Sequence, residues 1–150
     1  METIANKNTA TIIQLSALTQ YFIPLGNFIF PALLWSLKKK ESEFVDYNGK
    51  QAINFQLSLF LYSFVLAIVA IVIFVCTFFS NMNLIIDTDG EWIMEQFTLG
   101  NITILTLIAV LAVFLVILLK TAELFLIIYA AVKNNNGERY NFPLTINFIR

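Results

Sequence analysis

The chain has 150 residues, of which 59% are apolar and 13% are charged, and its formal net charge is −1. Soluble globular domains are about half apolar and about a quarter charged, so this composition predicts an integral membrane protein surrounded by the lipid bilayer. The nearly balanced charge argues against a nucleic-acid partner. The absence of histidine removes the most common general base and metal ligand.

Three apolar segments are predicted in the chain, at residues 9–37, 52–79 and 102–132. A helix needs about 20 apolar residues to cross the hydrocarbon core of a bilayer, and each segment is long enough. The sequence therefore predicts an all-α fold, a polytopic transmembrane helical bundle that forms one membrane domain over the whole chain.

The first segment contains a predicted helix break. Pro24, Gly26 and Asn27 place a helix breaker, a flexible residue and an N-cap residue almost in a row. Pro31 then falls within the first turn of a new helix beginning near Asn27, where its missing N–H costs little. Neither half spans a bilayer comfortably alone. The segment therefore either crosses once as a bent helix, which we favour, or returns as a hairpin, which would give four membrane helices.

The second segment carries a polar stripe. Gln51, Asn54 and Ser58 recur at spacings of three and four residues and therefore share one helical face. Hydrocarbon offers amides no hydrogen-bond partner, so we expect this face to contact another helix or to line a small wet groove. The alternative is that these side chains are simply hydrated near the membrane surface.

The third segment contains two opposite charges, Lys120 and Glu123, three residues apart on one helical face. Charged side chains at membrane depth are costly and usually face the interior of a bundle. One interpretation is a proton or ion relay, or a contact for a polar segment in transit. The other is an internally neutralised structural pair, or a lysine that extends to the interface.

The distribution of basic residues predicts the orientation. The loop at residues 38–50 contains four lysines, and the tail at residues 133–150 contains Lys133, Arg139 and Arg150. The loop at residues 81–100 has no Lys or Arg and contains four acidic residues: Asp87, Asp89, Glu91 and Glu95. The positive-inside rule places the lysine loop and the tail in the cytoplasm and the acidic loop outside. The predicted location is the inner (cytoplasmic) membrane.

The sequence contains no enzyme signature. Gly-rich phosphate loops, paired metal-ligand motifs and Ser–His or Cys–His arrangements are absent. The single cysteine, Cys76, lies within an apolar run and is expected to be a small apolar residue. We therefore predict a non-enzymatic protein with no catalytic residue, no metal site and no small-molecule cofactor.

Three blocks of the sequence carry a family resemblance. The first runs from Leu15 to Pro31, the second contains Phe44-Val45-Asp46 and the stretch from Asn48 to Gln56, and the third runs from Asn136 to Ile149. Together they resemble a family of small bacterial and archaeal multi-pass membrane proteins of unknown function. That family is considered distantly similar to the twenty-kilodalton subunit of the chloroplast inner-envelope import translocon, which is usually given four crossings.

The resemblance implies an all-helical inner-membrane protein that assists protein translocation or insertion, and it brings no catalytic residues. The chain departs from the family pattern at Lys120 and Glu123, and at Asn141-Phe142, which replaces a basic-aromatic pair before Pro143. The first functional hypothesis is a helper or subunit of a membrane complex whose partners are other membrane proteins or further copies of itself. The alternative is a small transporter or channel subunit that acts as an oligomer.

Overall fold

The computed structural model describes residues 2–87 and 101–150, and side chains over residues 2–76 and 107–150. Four α-helices follow one another: α1 (Ile4–Ser16), α2 (Gly26–Lys38), α3 (Glu43–Asp87) and α4 (Asn101–Asn135). A short 3-10 helix, Ala17–Tyr21, extends α1. These described residues contain no β-strand. The prediction of an all-α helical fold is therefore confirmed.

The break in the first segment is present, but its details differ from the prediction. α2 begins at Gly26, and Leu25 occupies the N-cap position with a left-handed φ of 61° and no side-chain cap. Pro24 cannot donate a backbone hydrogen bond, so the preceding helix ends before it. Asn27 lies inside α2, where its Nδ2 donates to Oε1 of Gln56 at 2.8 Å. Its assignment as the N-cap is therefore wrong, because its amide is bound to α3.

α1 and α2 form an antiparallel hairpin. Near the break, a Cβ on Gly26 would lie 2.8 Å from the carbonyl carbon of Thr19, so the two backbones approach as closely as glycine allows. At the opposite end, Ser42 just after α2 donates its hydroxyl to Oε2 of Glu2 at 3.2 Å. The single bent crossing favoured by the sequence is therefore wrong, because the left-handed turn at Leu25 reverses the chain.

Pro31 is a buried residue inside α2, beyond the first turn in which the sequence placed it. It cannot donate to the carbonyl of Asn27, but α2 continues through it.

α3 and α4 also exceed the predicted apolar segments. α3 begins with Glu43 and Asp46 in its first turn, where carboxylates interact favourably with the helix dipole. It continues to Asp87, so residues 81–87 of the predicted acidic loop are helical, and residues 88–100 lie outside the described residues.

The described chain divides into two compact units. The first unit consists of Met1–Tyr62 and Thr121–Arg150, and the second consists of Ser63–Lys120. The first unit contains two apolar clusters. One joins Ile13, Val45 and Ala52 with Leu34 and Trp35 against them. The other joins residues of α3, α4, the 3-10 helix and the tail: Ala17, Phe55, Ile127, Ala130 and Phe142. α4 ends before Gly137, whose φ of 83° is the left-handed geometry that commonly terminates helices.

The second unit consists of the remaining parts of α3 and α4. Large apolar side chains on both helices are exposed there, among them Phe64, Ile71, Phe74, Phe114 and Ile117. Contiguous apolar surface of this kind is costly in water and suits contact with lipid. Within the described residues, two helices are long and apolar enough to cross a membrane, Glu43–Cys76 and Leu107–Asn135.

Candidate functional site: a groove that holds an extended tail

The C-terminal tail, residues 136–150, has no helix and lies along α3 in the first unit. Asn48 accepts from the backbone N–H of Tyr140 at 3.2 Å. About four turns further along α3, the Tyr62 hydroxyl donates to the carbonyl of Leu144 at 2.7 Å. The tail then turns back at Leu144, whose φ is 56°. We call the α3 surface formed by Asn48, Asn54, Phe55, Ser58 and Tyr62 the tail groove.

The returning part of the tail is held by two side chains of α3. Ser58 accepts from the N–H of Ile146 at 2.8 Å. Asn54 accepts from the N–H of Ile149 at 2.9 Å and donates to its carbonyl at 3.0 Å. One amide side chain thus satisfies both backbone groups of one residue, as a neighbouring strand does in a sheet. These bonds recognise the peptide backbone and do not depend on the identity of the bound side chain.

Aromatic stacking supports the tail between the two polar ends of the groove. The rings of Phe55 and Phe142 are stacked, with centroids 4.1 Å apart and an interplanar angle of 10°. Tyr140 meets Phe142 edge-on at 4.9 Å. Phe142 is only 3% exposed, so its burial stabilises the docked tail by about 2 kcal/mol. The Asn141-Phe142 departure from the family pattern thus lies at an anchor of the tail.

A second layer of hydrogen bonds fixes the groove residues. Asn48 is fully buried, and its Nδ2 donates to the carbonyl of Phe44 at 2.9 Å. The side-chain amide of Gln14 on α1 donates to the backbone carbonyl of Asn48 at 3.2 Å. The acceptor oxygen of Asn48 is thereby held towards the tail. α1 therefore helps to position the groove.

Tyr140, whose backbone N–H binds Asn48 in the tail groove, has a titratable side chain. Burial and the nearby Tyr129 raise the pKa of its phenol above the ordinary tyrosine value. The two rings meet edge-on with centroids 5.4 Å apart. The phenol therefore stays protonated at neutral pH, and Tyr140 contributes packing and a hydroxyl without a charge.

The predicted polar stripe is brought together on one face of α3, but the partner differs from the expectation. Asn54 and Ser58 bind the backbone of the tail, whereas the sequence favoured another helix. Gln51 is 8% exposed, and its Oε1 is buried without a hydrogen-bond partner among the described residues. Sequence reasoning missed Asn48 and Tyr62. The signal for Asn48 was its spacing of three residues before Gln51, which extends the same stripe.

Glu123 and Lys120 have different surroundings. Glu123 belongs to the first unit, is 3% exposed, and accepts from Nε2 of Gln20 at 2.8 Å. Lys120 belongs to the second unit, is exposed, and borders an apolar cavity of about 210 Å³ between α3 and α4. The predicted pairing of these two charges stays a prediction. Gln20 is a partner of Glu123 that the sequence pattern of α4 does not indicate.

Among the described residues, no three or more His, Cys, Asp or Glu side chains lie close enough together to hold a metal ion. The chemistry of the tail groove is that of neutral amides and hydroxyls. Such groups exchange hydrogen bonds with a peptide backbone.

One family model matches almost the whole chain. Residues 5–149 match MamF/MmsF, described as the magnetosome magnetite crystal formation protein family. No curated protein and no solved structure matches the chain. The match supports the predicted membership of a bacterial membrane protein family and a membrane location. It gives no support to the similarity with the chloroplast translocon subunit.

Proposed function

The chain belongs to the MamF/MmsF family, and from this membership and the tail groove we propose that it is a non-enzymatic helper or subunit of a membrane complex. The observation that carries the proposal is the binding of an extended segment through its backbone. Membrane proteins pass through extended states before they fold, and a helper for many clients needs recognition that tolerates different sequences. Backbone hydrogen bonds from Asn48, Asn54, Ser58 and Tyr62 provide that tolerance.

The hydrogen bonds that hold the tail are individually weak. Five hydrogen bonds join the tail backbone to α3. At about 1 kcal/mol net for each bond, they supply about 5 kcal/mol against the entropy cost of ordering the tail. The entropy cost of ordering the tail offsets much of the gain from these bonds and from apolar burial, so the tail is able to leave the groove. We propose that client segments enter the groove when the tail leaves, in protein translocation or insertion at the inner membrane.

Participation in magnetite crystal formation is a second candidate, favoured by the description of the family. The two functions are compatible, since a membrane helper can act on the proteins of the membrane around a crystal. A small oligomeric transporter is the remaining alternative, because three or four membrane segments do not enclose a pathway alone. The identity of the bound partners distinguishes the three.

Site-specific photo-crosslinking tests the proposal. A benzophenone amino acid at Tyr62 lies in the groove, and one at Leu61, its exposed neighbour, is the matched control. We expect Tyr62 crosslinks to the tail and, in cells synthesising membrane proteins, to those proteins as well, with several times fewer protein crosslinks from Leu61. Mass spectrometry of the crosslinked products identifies the partners.

The pattern of crosslinks decides among the candidates. Translocase components or newly made membrane proteins support the helper function, and proteins of a crystal-forming compartment support the second candidate. Crosslinks only between copies of the chain, together with one discrete homo-oligomeric mass in detergent, would contradict both and favour a transporter.

The orientation is a separate prediction. Glu2 contacts Ser42, and Arg139 lies 3.4 Å from Glu43, so the N-terminus, the lysine loop and the tail share one end of the first unit. The lysine-rich composition of this end predicts that it is cytoplasmic. In a Cys76→Ala background, an impermeant thiol reagent added to intact cells should miss cysteines placed at Asn8 and Asn135 and modify one at Asp89. Labelling at Asn8 or Asn135, with none at Asp89, would reverse the orientation.

A further inference from the structure

One side chain of the tail lies deep in the first unit, and the other large apolar side chains of the tail do not. Phe142 is 3% exposed, and within residues 136–150, all of which the structure describes, it is the one buried residue. Leu144, Ile146 and Phe148 are at least 40% exposed. The tail is therefore held by its backbone at several points and by a buried side chain at one position.

The residues around Phe142 form a slot for a planar ring. Phe55 of α3 is one wall, because its ring and the Phe142 ring are nearly parallel, 10° apart in plane, with centroids at 4.1 Å. The same apolar cluster contains Ala17 of the 3-10 helix and Ile127 and Ala130 of α4. The short alanine side chains leave space between the elements that the Phe142 ring fills. We call Phe55, Ala17, Ile127 and Ala130 the aromatic slot.

The aromatic slot favours a ring over an aliphatic side chain. Stacked aromatic rings attract each other beyond the effect of burying their apolar area. The Phe142 ring also meets the ring of Tyr140, two residues earlier in the tail, edge-on at 4.9 Å. A leucine in the place of Phe142 would keep the burial and lose both ring contacts. Selection in the tail groove is therefore expected at this one position of a bound segment.

A bound segment also has to turn directly after its ring. Pro143 and Leu144 form the turn that follows Phe142, and the φ of Leu144 is 56°. This left-handed backbone favours glycine or asparagine as the second central residue of a turn, and leucine is strained there. The Leu144 side chain is 85% exposed, so burial offsets little of that strain. Glycine at this place would remove it.

We propose that the tail groove selects client segments that contain an aromatic residue followed directly by a tight turn, with aromatic–proline–glycine as the preferred sequence. This inference rests on the proposed helper function and adds the chemistry of the clients. The aromatic ring enters the aromatic slot, and the polar side chains of the tail groove bind the flanking backbone. The tail has the same pattern in Phe142-Pro143-Leu144, with a strained third residue. It therefore occupies the groove of an unengaged chain and is displaced by a client.

Fluorescence polarisation of labelled peptides with the whole chain in dodecyl maltoside micelles tests this selection. The probe is a fluorescein-labelled peptide with the sequence of residues 138–150. We expect the chain with Phe142→Ala to bind it about thirtyfold more tightly than the parent, because its own tail has lost the buried ring and competes less. The chain with Phe148→Ala is the matched control and should bind like the parent, since Phe148 is about half exposed.

Changes in the peptide test the aromatic slot directly. The peptide with Phe142→Ala should bind about thirtyfold more weakly, and the peptide with Phe142→Leu about fivefold more weakly, because leucine lacks the ring contacts. The peptide with Phe148→Ala loses an equal ring outside the slot, so its affinity should not change, and it controls for partition into micelles. The peptide with Leu144→Gly should bind about threefold more tightly, since the strain of the turn is removed.

The results separate this inference from the helper function. Equal, saturable binding of the Phe142→Ala and Phe148→Ala peptides would overturn the aromatic selection and leave a groove that accepts any extended segment. No saturable binding of any peptide, even to the chain with Phe142→Ala, would overturn the helper function as well. Circular dichroism checks that each chain variant keeps its helices. Phe142→Leu, which keeps an apolar side chain in the slot, is the second chain variant, with an expected gain in peptide affinity of about fivefold.

Discussion

Replacing Asn54 with leucine is expected to release the C-terminal tail from α3. The change removes both hydrogen bonds to Ile149, at 2.9 and 3.0 Å, and places an apolar side chain against its backbone. At about 1 kcal/mol for each bond, docking of the tail should weaken by about 2 kcal/mol. Amide hydrogen exchange over residues 140–149 should then be about thirtyfold faster, because about 1.4 kcal/mol corresponds to a factor of ten.

Two further variants make this experiment selective. Tyr62→Phe removes only the bond to the Leu144 carbonyl, so it should accelerate exchange by less than tenfold and mainly around the turn. Asn135→Leu makes the same amide-to-leucine change at the exposed end of α4 and should leave tail exchange unchanged. Parent-like exchange at Ile146 and Ile149 in Asn54→Leu would show that the groove does not hold the tail.

The elements that sequence reasoning predicted correctly are those with a local physical cause. Long apolar runs predict helices that can meet lipid, and Pro24 ends a helix because it has no backbone N–H. Gln51, Asn54 and Ser58 share one helical face because spacings of three and four residues correspond to about one helical turn. In each case the information lies within about two turns of chain.

The parts that were missed depend on contacts between distant residues. The tail has no periodic pattern, so nothing local indicates that Ile149 pairs with Asn54, 95 positions earlier. A polar stripe needs hydrogen-bond partners, but its sequence does not specify whether a helix, a tail or water supplies them. The length of the first segment likewise allows a crossing or a hairpin. The close approach of Gly26 to Thr19 decides it, and that contact exists only after folding.

Replacing Glu123 with leucine should have the largest effect on the stability of the first unit. Glu123 is 3% exposed and accepts a 2.8 Å hydrogen bond from Gln20, so the change leaves a half-buried amide without this acceptor. Hydrogen bonds to charged groups contribute about 1.5–3 kcal/mol, and we expect a loss of that size in the free energy of unfolding. SDS titration of the protein in mixed micelles, followed by circular dichroism, measures it.

Double variants identify the partner on which Glu123 depends. Gln20→Leu with Glu123→Leu removes both ends of the observed bond, so their losses should be non-additive by about 0.5–3 kcal/mol. The sequence hypothesis of a Lys120–Glu123 pair instead expects recovery in Lys120→Leu with Glu123→Leu, because replacing both members of a buried ion pair is often neutral. Additive losses of Gln20→Leu and Glu123→Leu would contradict the observed bond as a source of stability, whereas recovery in the double variant with Lys120 would support the sequence hypothesis. We expect coupled losses for Gln20 and Glu123, with Glu123→Gln close to the parent in stability because glutamine keeps an acceptor for the Gln20 amide.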